Sequence, residues 1–243
     1  MSNHQDPFIS LHVPQPPFKG AILVEPHAHA AEVSGCSYLP AAELVALVAR
    51  HGYGAVVITD HYLARLTDTQ KGREAFRRGY LLAKAAGDAC GIAVLPGMEL
   101  RFDAYGINDF LVYLPDPACY ARLRDIASLS PERFRRVADE EGLLVYQAHP
   151  FRTGQTVQPP AYLHGIEVHN GNPNHDSHNE QALAYAKAHG LAMVAGSDLH
   201  GEHGVHRGGI WVPPEAIASP KAFVAHLRAT PQPPLFCPPL PAV

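Results

Sequence analysis

The sequence contains no apolar run that approaches the ~20 residues a membrane-spanning helix needs, so no membrane partner is expected. It also lacks a basic excess: the net charge is -4 and no Lys/Arg-rich run occurs, which disfavours an extended nucleic-acid surface. The 4 cysteines include no C-x-x-C pair, and the start MSNHQDPFIS has neither the basic nor the apolar segment of a leader. We therefore expect reduced thiols and a cytoplasmic protein.

The chain does have enough apolar sequence for a sizeable core, since 47% of its 243 residues are hydrophobic. Short apolar runs alternate with helical stretches, which predicts a mainly parallel sheet with crossover helices. Seven runs are of strand type, at 21–25, 55–59, 92–96, 110–114, 143–147, 165–169 and 191–196. Seven strands in this length predict a closed, TIM-like (β/α) barrel of the α/β class, with a doubly wound open sheet as the alternative.

Proline is concentrated towards the two ends of the chain. Residues 1–20 are predicted to form an N-terminal arm, residues 21–230 the barrel domain, and residues 231–243 a Pro-rich tail that runs extended along the surface. The chain is thus expected to contain one barrel and not two domains.

Histidines are the most informative residues, with 16 of them against 19 Lys and Arg residues. Many lie, with several carboxylates, directly after predicted strands, and the carboxyl ends of parallel strands converge on one rim. Imidazole and carboxylate groups are ligands of zinc, iron and manganese. The candidate metal ligands are His27, His29, Glu32, His61, Glu99, Asp109, His149, Asp198 and His200. At about three or four ligands per ion, they predict two to three divalent metal ions, with bridging carboxylates holding neighbours ~3.5–4 Å apart.

Five motifs occur in an order that resembles a known family: PHAHAAEVS, VITDHY, PGMEL, AHPFR and GSDLH. They are similar to the motifs of the polymerase-and-histidinol-phosphatase (PHP) domain family, from about residue 21 to about residue 229. This resemblance implies a distorted seven-stranded (β/α) barrel with a multinuclear metal centre at the carboxyl ends of its strands.

The resemblance also implies how the ligands divide among the ions. The first ion would take His27, His29, Glu99 and Asp198; the second Glu99, His149 and Asp109; the third Glu32, His61 and His200. Two positions depart from the family pattern. Asp109 stands where many members have histidine, and Ser34 stands where others have an aspartate close to Glu32. Without Glu32 as a ligand, the centre is expected to be binuclear.

A metal-bound hydroxide that attacks phosphorus is the mechanism such a centre favours. Arg152 in HPFR and Arg207 in GVHRGG are candidates to bind the substrate phosphate through a bidentate fork. Asp198, His200 or His203 would protonate the leaving group. The chain has no attached polymerase and resembles the free-standing, phosphatase-like members of the family. We therefore predict a metal-dependent phosphoesterase whose substrate is a small phosphomonoester, such as histidinol phosphate, a nucleotide or a sugar phosphate.

Two other functions stay open at this point. A hydrolase of a C–N or C–O bond, as in amidohydrolase barrels, would use a bridging lysine after a middle strand, and the chain has no lysine between Lys84 and Lys187. A non-catalytic metal-binding domain is less favoured, because nearly all the ligand positions are filled.

Overall fold

The computed structural model describes residues 15–67 and 69–239. The predicted arm up to residue 14 and the last four residues of the predicted tail lie outside the described residues. The strands are β1 (Ile22–Ala28), β2 (Ala55–Ile58), β3 (His61–Tyr62), β4 (Ala93–Arg101), β5 (Asp109–Tyr113), β6 (Leu144–Gln147), β7 (Gly165–Asn170), β8 (Ala192–Gly196), β9 (Gly209–Val212) and β10 (Leu235–Phe236).

Helices connect most of the strands. They are α1 (Ala41–Arg50), α2 (Ala64–Thr67), α3 (Gln70–Cys90), α4 (Cys119–Arg122), α5 (Pro131–Glu141), α6 (Asn179–His189) and α7 (Pro220–Ala229). Short 3-10 turns lie at Ile126–Ser128, Pro160–Tyr162, Glu202–Gly204 and Pro214–Ile217. No helix within the described ranges is both long and apolar enough to cross a membrane.

The strands form one sheet that curls into a nearly closed barrel. Its order is β10-β9-β1-β2-β4-β5-β6-β7-β8, and β3 pairs with β4 beside this path. The chain after β8 returns to the end of β1, where the Leu199 amide donates to the His27 carbonyl and the His29 amide donates to the Leu199 carbonyl, each at 3.0 Å. The predicted TIM-like α/β barrel is therefore confirmed.

All seven predicted strands are present, as β1, β2 and β4 to β8. The prediction omitted β3 and β10, which have two residues each and so carry no periodicity to read. It also omitted β9, a four-residue apolar run that pairs antiparallel with both β1 and β10. Because β10 belongs to the Pro-rich tail, that part of the tail lies hydrogen-bonded along the sheet.

Among strands β1 to β8, only β5 runs antiparallel to its neighbours. Residues 102–108 are too few for the crossover that a parallel pair requires, so β4 and β5 form an antiparallel hairpin. As a result, the first residue of β5 lies at the rim where the parallel strands end. The register pairs Asp109 with Arg101 there, and the parallel β3–β4 register pairs His61 with Glu99.

The core occupies both faces of the sheet, since successive strand residues point to opposite sides. On β2, Val56 packs with the apolar face of α1, whereas Val57 packs with the cluster that contains Tyr113 and Phe223. The rings of Tyr113 and Phe223 meet edge to face with centroids 5.8 Å apart. Tyr113 lies at the end of β5 away from Asp109, so α7 packs at the end of the barrel opposite the polar rim.

Candidate metal centre

The HxH motif places two imidazoles at the end of β1. His27 is the next-to-last residue of β1, His29 follows the strand, and both are fully buried. Residues two apart in an extended segment share a face, and here the two ring centroids are 5.1 Å apart.

Asp198, directly after β8, contacts both rings. Its Oδ1 lies 3.2 Å from Nε2 of His27 and 3.2 Å from Nε2 of His29. The backbone of Asp198 has φ 51° and that of His149 has φ 29°, both in the left-handed region. Residues other than glycine rarely adopt this backbone conformation, and such strain concentrates at functional sites.

Glu99 on β4 is the centre of the cluster. Its Oε1 lies 3.1 Å from His149 Nε2 and 3.4 Å from His27 Nε2. Its Oε2 lies 2.8 Å from His61 Nδ1 and 3.5 Å from His29 Nε2. One carboxylate therefore faces four imidazoles, two on each oxygen, which is the arrangement a bridging ligand requires.

The candidate ligands form four overlapping sets, and within each set the donor atoms all lie within 4.8 Å of one another. They are His27, His29 and Asp198; His27, Glu99 and His149; His61, Glu99 and Asp109; and His29, His61 and His200. The structure thus brings together eight of the nine predicted ligands.

The donors fit divalent cations. Nε2 of His27, Nε2 of His29 and Oδ1 of Asp198 are buried and have no hydrogen-bond partner within the described part of the chain. Buried polar atoms are costly when they are left unpaired, and a cation would satisfy all three. Their chemistry, nitrogen with carboxylate oxygen, is that of zinc, iron and manganese sites.

Glu32 lies outside the cluster. Its carboxylate accepts hydrogen bonds from the Ala41 amide at 2.9 and 3.1 Å, at the N-terminus of α1, and the side chain is exposed. Unpaired amides at a helix start attract a carboxylate, and this local interaction holds Glu32 away from the histidines.

Asp109 lies in the cluster but already has a partner. Arg101 donates to both of its oxygens, from Nε and from a terminal nitrogen, each at 2.7 Å. Burial, and then the charge of Glu99, raise the pKa of Asp109. The bidentate pair thus places a guanidinium at the rim, next to the donors that face Glu99.

A second layer of polar groups orients the histidines. Glu167 on β7 accepts from Nδ1 of His27 at 2.8 Å through Oε1. Its Oε2 accepts from the His149 amide and from Asn170 Nδ2, each at 2.9 Å. With Nδ1 of His27 acting as the donor, Nε2 is left with a lone pair that faces Glu99 and Asp198.

Asp60 has a comparable role on the other side. Its Oδ1 accepts from the Ala30 amide at 2.8 Å and from the Ser34 hydroxyl at 2.7 Å. The Ser34 oxygen in turn accepts from the His61 amide at 3.0 Å. Ser34 thus holds the His61 backbone.

The neighbouring histidines keep the carboxylates of Glu99 and Asp198 ionised by lowering their pKa values. Burial raises the pKa of Glu99, but His61 and His27 outweigh it and hold that pKa well below its usual range. The same balance, with His27 as the main opposing charge, lowers the pKa of Asp198. Burial and the neighbouring His200 lower the pKa of His29 to about 3, so this ring is a neutral donor. Ionised carboxylates with a neutral imidazole are what cation binding needs.

A cavity of about 300 Å³ opens onto the cluster. Besides the histidines and carboxylates it is lined by Cys36, Tyr38, Arg101, Arg152, Asn172, Asn174 and His175. Of the two predicted phosphate-binding arginines, Arg152 lines the cavity. Arg207 lies on a neighbouring loop, where its Nε donates to the His203 carbonyl at 3.0 Å.

The sequence argument missed several of these residues. Arg101 comes two positions after Glu99 and shares its strand face, and Glu167 is a charge within an apolar strand, so both carried a readable signal. Cys36 had none. Burial raises the pKa of its thiol, but hydrogen bonds with His200 and His61 outweigh burial and bring the pKa to about 6.

The fold and the site define an α/β barrel whose strand ends hold a cluster suited to several divalent cations. Residues 176–230 match the model of a family described as PHP-associated, and no curated protein matches the chain. This match covers only a C-terminal part of the chain, and together with the motifs and the fold it supports the resemblance to the PHP-domain family.

Three solved structures have a similar fold. A two-domain protein from Bacteroides vulgatus ATCC 8482, containing a predicted PHP-like metal-dependent phosphoesterase, is 19% identical with TM-score 0.59; the match covers 86% of this chain and 66% of that one. PsfC from Pseudomonas syringae PB-5123 is 17% identical with TM-score 0.69, covering 90% and 92%. A protein from Bifidobacterium adolescentis ATCC 15703, provisionally named a metal-dependent phosphoesterase, is 17% identical with TM-score 0.52, covering 88% and 97%.

Proposed function

We propose that this protein is a metal-dependent phosphoesterase that hydrolyses small phosphomonoesters. The observation that carries the proposal is Glu99, whose two oxygens each face two imidazoles beside a cavity that two arginines line. Two or three divalent ions (zinc, manganese or iron) held by these donors would acidify a water molecule towards neutral pH and neutralise charge on a phosphoryl group.

The arginines suit an anionic substrate. Arg101 is fixed by its fork to Asp109, and its side chain is 34% exposed, which leaves part of the guanidinium open to the cavity. Arg152 follows His149 in a tight turn, in which the Arg152 amide donates to the His149 carbonyl at 3.0 Å. Planar guanidinium groups recognise phosphate through two parallel hydrogen bonds. The cavity volume and these two cations favour a small phosphorylated substrate.

Proton transfer to the leaving group is assigned to Asp198 or His200. Nδ1 of His200 lies 2.9 Å from the Asp198 carbonyl oxygen, which leaves Nε2 for the metal or the proton. The Asp198 carboxylate already serves His27 and His29 through Oδ1 and accepts from Asn172 Nδ2 at 3.0 Å through Oδ2. His200 is therefore the freer of the two groups, and we assign the general-acid role to it first.

The test is a panel of phosphomonoesters, including histidinol phosphate, nucleotides and sugar phosphates, assayed on protein stripped of metal and reloaded with zinc, manganese or iron separately. We expect phosphate release that depends on added metal. Absence of phosphate release with every metal, or hydrolysis confined to amide or lactone substrates in a parallel panel, would overturn the proposal.

A matched pair of arginine variants tests the substrate site. Arg152→Ala should lower kcat/KM by a factor that corresponds to about 1.5–3 kcal/mol of transition-state stabilisation, the range for a hydrogen bond to a charged group. Its metal content should be unchanged. Arg207→Ala, which removes a loop arginine anchored to a backbone carbonyl, should leave kcat/KM near normal. Equal losses in both variants would contradict the assignment of Arg152.

A further inference from the structure

A second cavity, of about 390 Å³, adjoins the cavity that opens onto the metal donors. Cys36, His61 and Arg101 line both cavities, so the two lie side by side along these residues. All three are accessible to solvent: Cys36 is exposed, and 21% of the His61 side chain and 34% of the Arg101 side chain remain open. A substrate whose phosphoryl group faces Glu99 therefore has room for the rest of the molecule in this adjoining cavity.

One side of the adjoining cavity is apolar. It is lined by Val33, Leu63 and Leu66, and Leu66 is 40% exposed. An apolar group that covers these side chains would remove nonpolar area from water, which favours binding. Since a cavity of about 150 Å³ is enough for a benzene molecule, the volume of this one accommodates a ring that carries a substituent.

Local contacts hold this apolar side in place. The Thr67 hydroxyl donates to the Leu63 carbonyl at 2.8 Å, and a terminal nitrogen of Arg73 donates to the Thr67 carbonyl at 3.1 Å. At Gly72 a Cβ atom would lie 1.7 Å from the Leu66 carbonyl oxygen, so glycine is needed for the first turn of α3 to pack this closely on α2. The wall is thus formed before a ligand binds, which lowers the cost of binding.

The adjoining cavity differs from the metal cavity in charge. Arg65 and Arg101 line it, and no Asp or Glu of the described residues does, whereas the metal cavity is lined by Glu99, Asp109 and Asp198. The Arg101 guanidinium is paired with Asp109. Arg65 is exposed and has no ion pair or hydrogen bond within residues 15–67 and 69–239. Its charge is therefore available to attract an anion and to repel a cation.

We propose that the adjoining cavity holds the leaving group of the substrate, and that Arg65 selects phosphomonoesters whose leaving group combines an apolar body, such as a ring, with a second anionic group. The inference rests on the proposed phosphoesterase function and narrows its substrate class. A leaving group with a carboxylate would pair with Arg65 through charge-assisted hydrogen bonds. The amine-bearing leaving group of histidinol phosphate would face two arginines, so we expect it to be disfavoured.

Three phosphonates that cannot be hydrolysed test the charge preference by calorimetry on protein loaded with zinc. They are phenylphosphonate and its 4-carboxy and 4-aminomethyl derivatives, which share one ring and one phosphorus group and differ in the charge at the far end. We expect the 4-carboxy compound to bind about tenfold more tightly than the 4-aminomethyl compound, the low end for a hydrogen bond to a charged group because Arg65 is exposed. Equal affinities, the reverse order or absence of binding by the 4-carboxy compound would overturn the proposal.

Charge reversal assigns the preference to one residue. Arg65→Glu should reverse the order of affinities, because the far end of the ring then meets a carboxylate, and Arg65→Lys should keep the order. The matched control is Arg133→Glu, which makes the same charge change at an exposed position of α5 and should keep the order too. An unchanged order in Arg65→Glu, or a reversed order in Arg133→Glu, would refute the role of Arg65.

Phosphate release from the corresponding phenyl phosphates separates this inference from the proposed function. Retention of the affinity order in protein that releases no phosphate from any of the three esters would overturn the phosphoesterase and support the anion-selective cavity. Phosphate release with equal kcat/KM for the 4-carboxy and 4-aminomethyl esters would support the phosphoesterase and overturn the selection by Arg65.

Discussion

Replacing Glu167 by glutamine removes one of two oxygens that serve three buried donors. Oε1 accepts from Nδ1 of His27, and Oε2 accepts from the His149 amide and from Asn170. If the glutamine side chain keeps its oxygen towards His27, its NH₂ group faces the His149 amide and Asn170 Nδ2, which are both donors and lose their acceptor. An amide in the opposite orientation donates to Nδ1 of His27, which moves the ring proton to Nε2 and removes the lone pair that a metal needs.

The two orientations of the glutamine amide set the expected losses of zinc affinity and of folding stability. Loss of a carboxylate behind a metal-bound histidine lowers metal affinity by about 10–100-fold, which is about 1.4–2.7 kcal/mol. A buried donor left without an acceptor costs about 1–3 kcal/mol of folding stability. We therefore expect Glu167→Gln to weaken zinc binding by at least about tenfold and to lower the melting temperature of the metal-free protein.

Zinc competition against a chromophoric chelator measures the affinity, and a thermal melt of the metal-free protein measures the stability. The matched control is Glu140→Gln, on the exposed face of α5, which should change neither. Unchanged zinc affinity in Glu167→Gln, in protein that folds, would refute the role of Glu167 in orienting His27. A stability loss with unchanged affinity would show that Glu167 supports only the fold.

Three further outcomes are expected. Glu99→Gln should remove at least one metal ion per chain, measured by elemental analysis, and abolish phosphate release; full metal content with normal turnover would contradict its bridging position. Arg101→Lys should weaken inhibition by inorganic phosphate about tenfold with metal content unchanged, because an ammonium cannot hold Asp109 by a fork and still present planar donors; unchanged inhibition would remove Arg101 from the substrate site. Burial, and then the charge of Arg135, lower the pKa of His164 from 6.5 to about 4. The contribution of the neutral His164 ring to the free energy of unfolding should therefore be complete above pH 6.5. It should fall as the pH drops towards 4, because the unfolded chain takes up the proton first. Urea unfolding at pH 7 and pH 5 should show a smaller drop for His164→Gln, and an equal drop would contradict it.

The seven barrel strands, and the gathering of eight of the nine candidate donors at one rim, could be predicted because both depend on local features. A strand buried on both faces is a short apolar run, and the donors come directly after those runs. Since parallel strands end on one rim, donors far apart in sequence, such as His27 and Asp198, could be placed together before any contact was known.

The direction of β5 and its pairing could not be predicted in the same way. An apolar run looks the same in a parallel and in an antiparallel strand. The sequence pattern alone therefore does not show that β5 runs antiparallel to β4 and β6. The hairpin puts Asp109 opposite Arg101, and this register gives Asp109 a cationic partner that no motif indicates. Whether a carboxylate binds an arginine or a metal is decided by neighbours on another segment.

The loop after β1 shows the same division most clearly. Glu32, Ser34 and Cys36 all follow the HxH motif closely, and each has a side chain able to approach a metal. By itself, the sequence determined the barrel strands, the rim on which the chemistry lies and the types of donor present. Only the tertiary structure decided where these three side chains lie, because the path of the loop is set by hydrogen bonds to α1 and to the segment after β8. The contact with α1 is local, but Ser37 and Tyr38 bind the His200 carbonyl from more than a hundred positions away, and no local pattern encodes that contact.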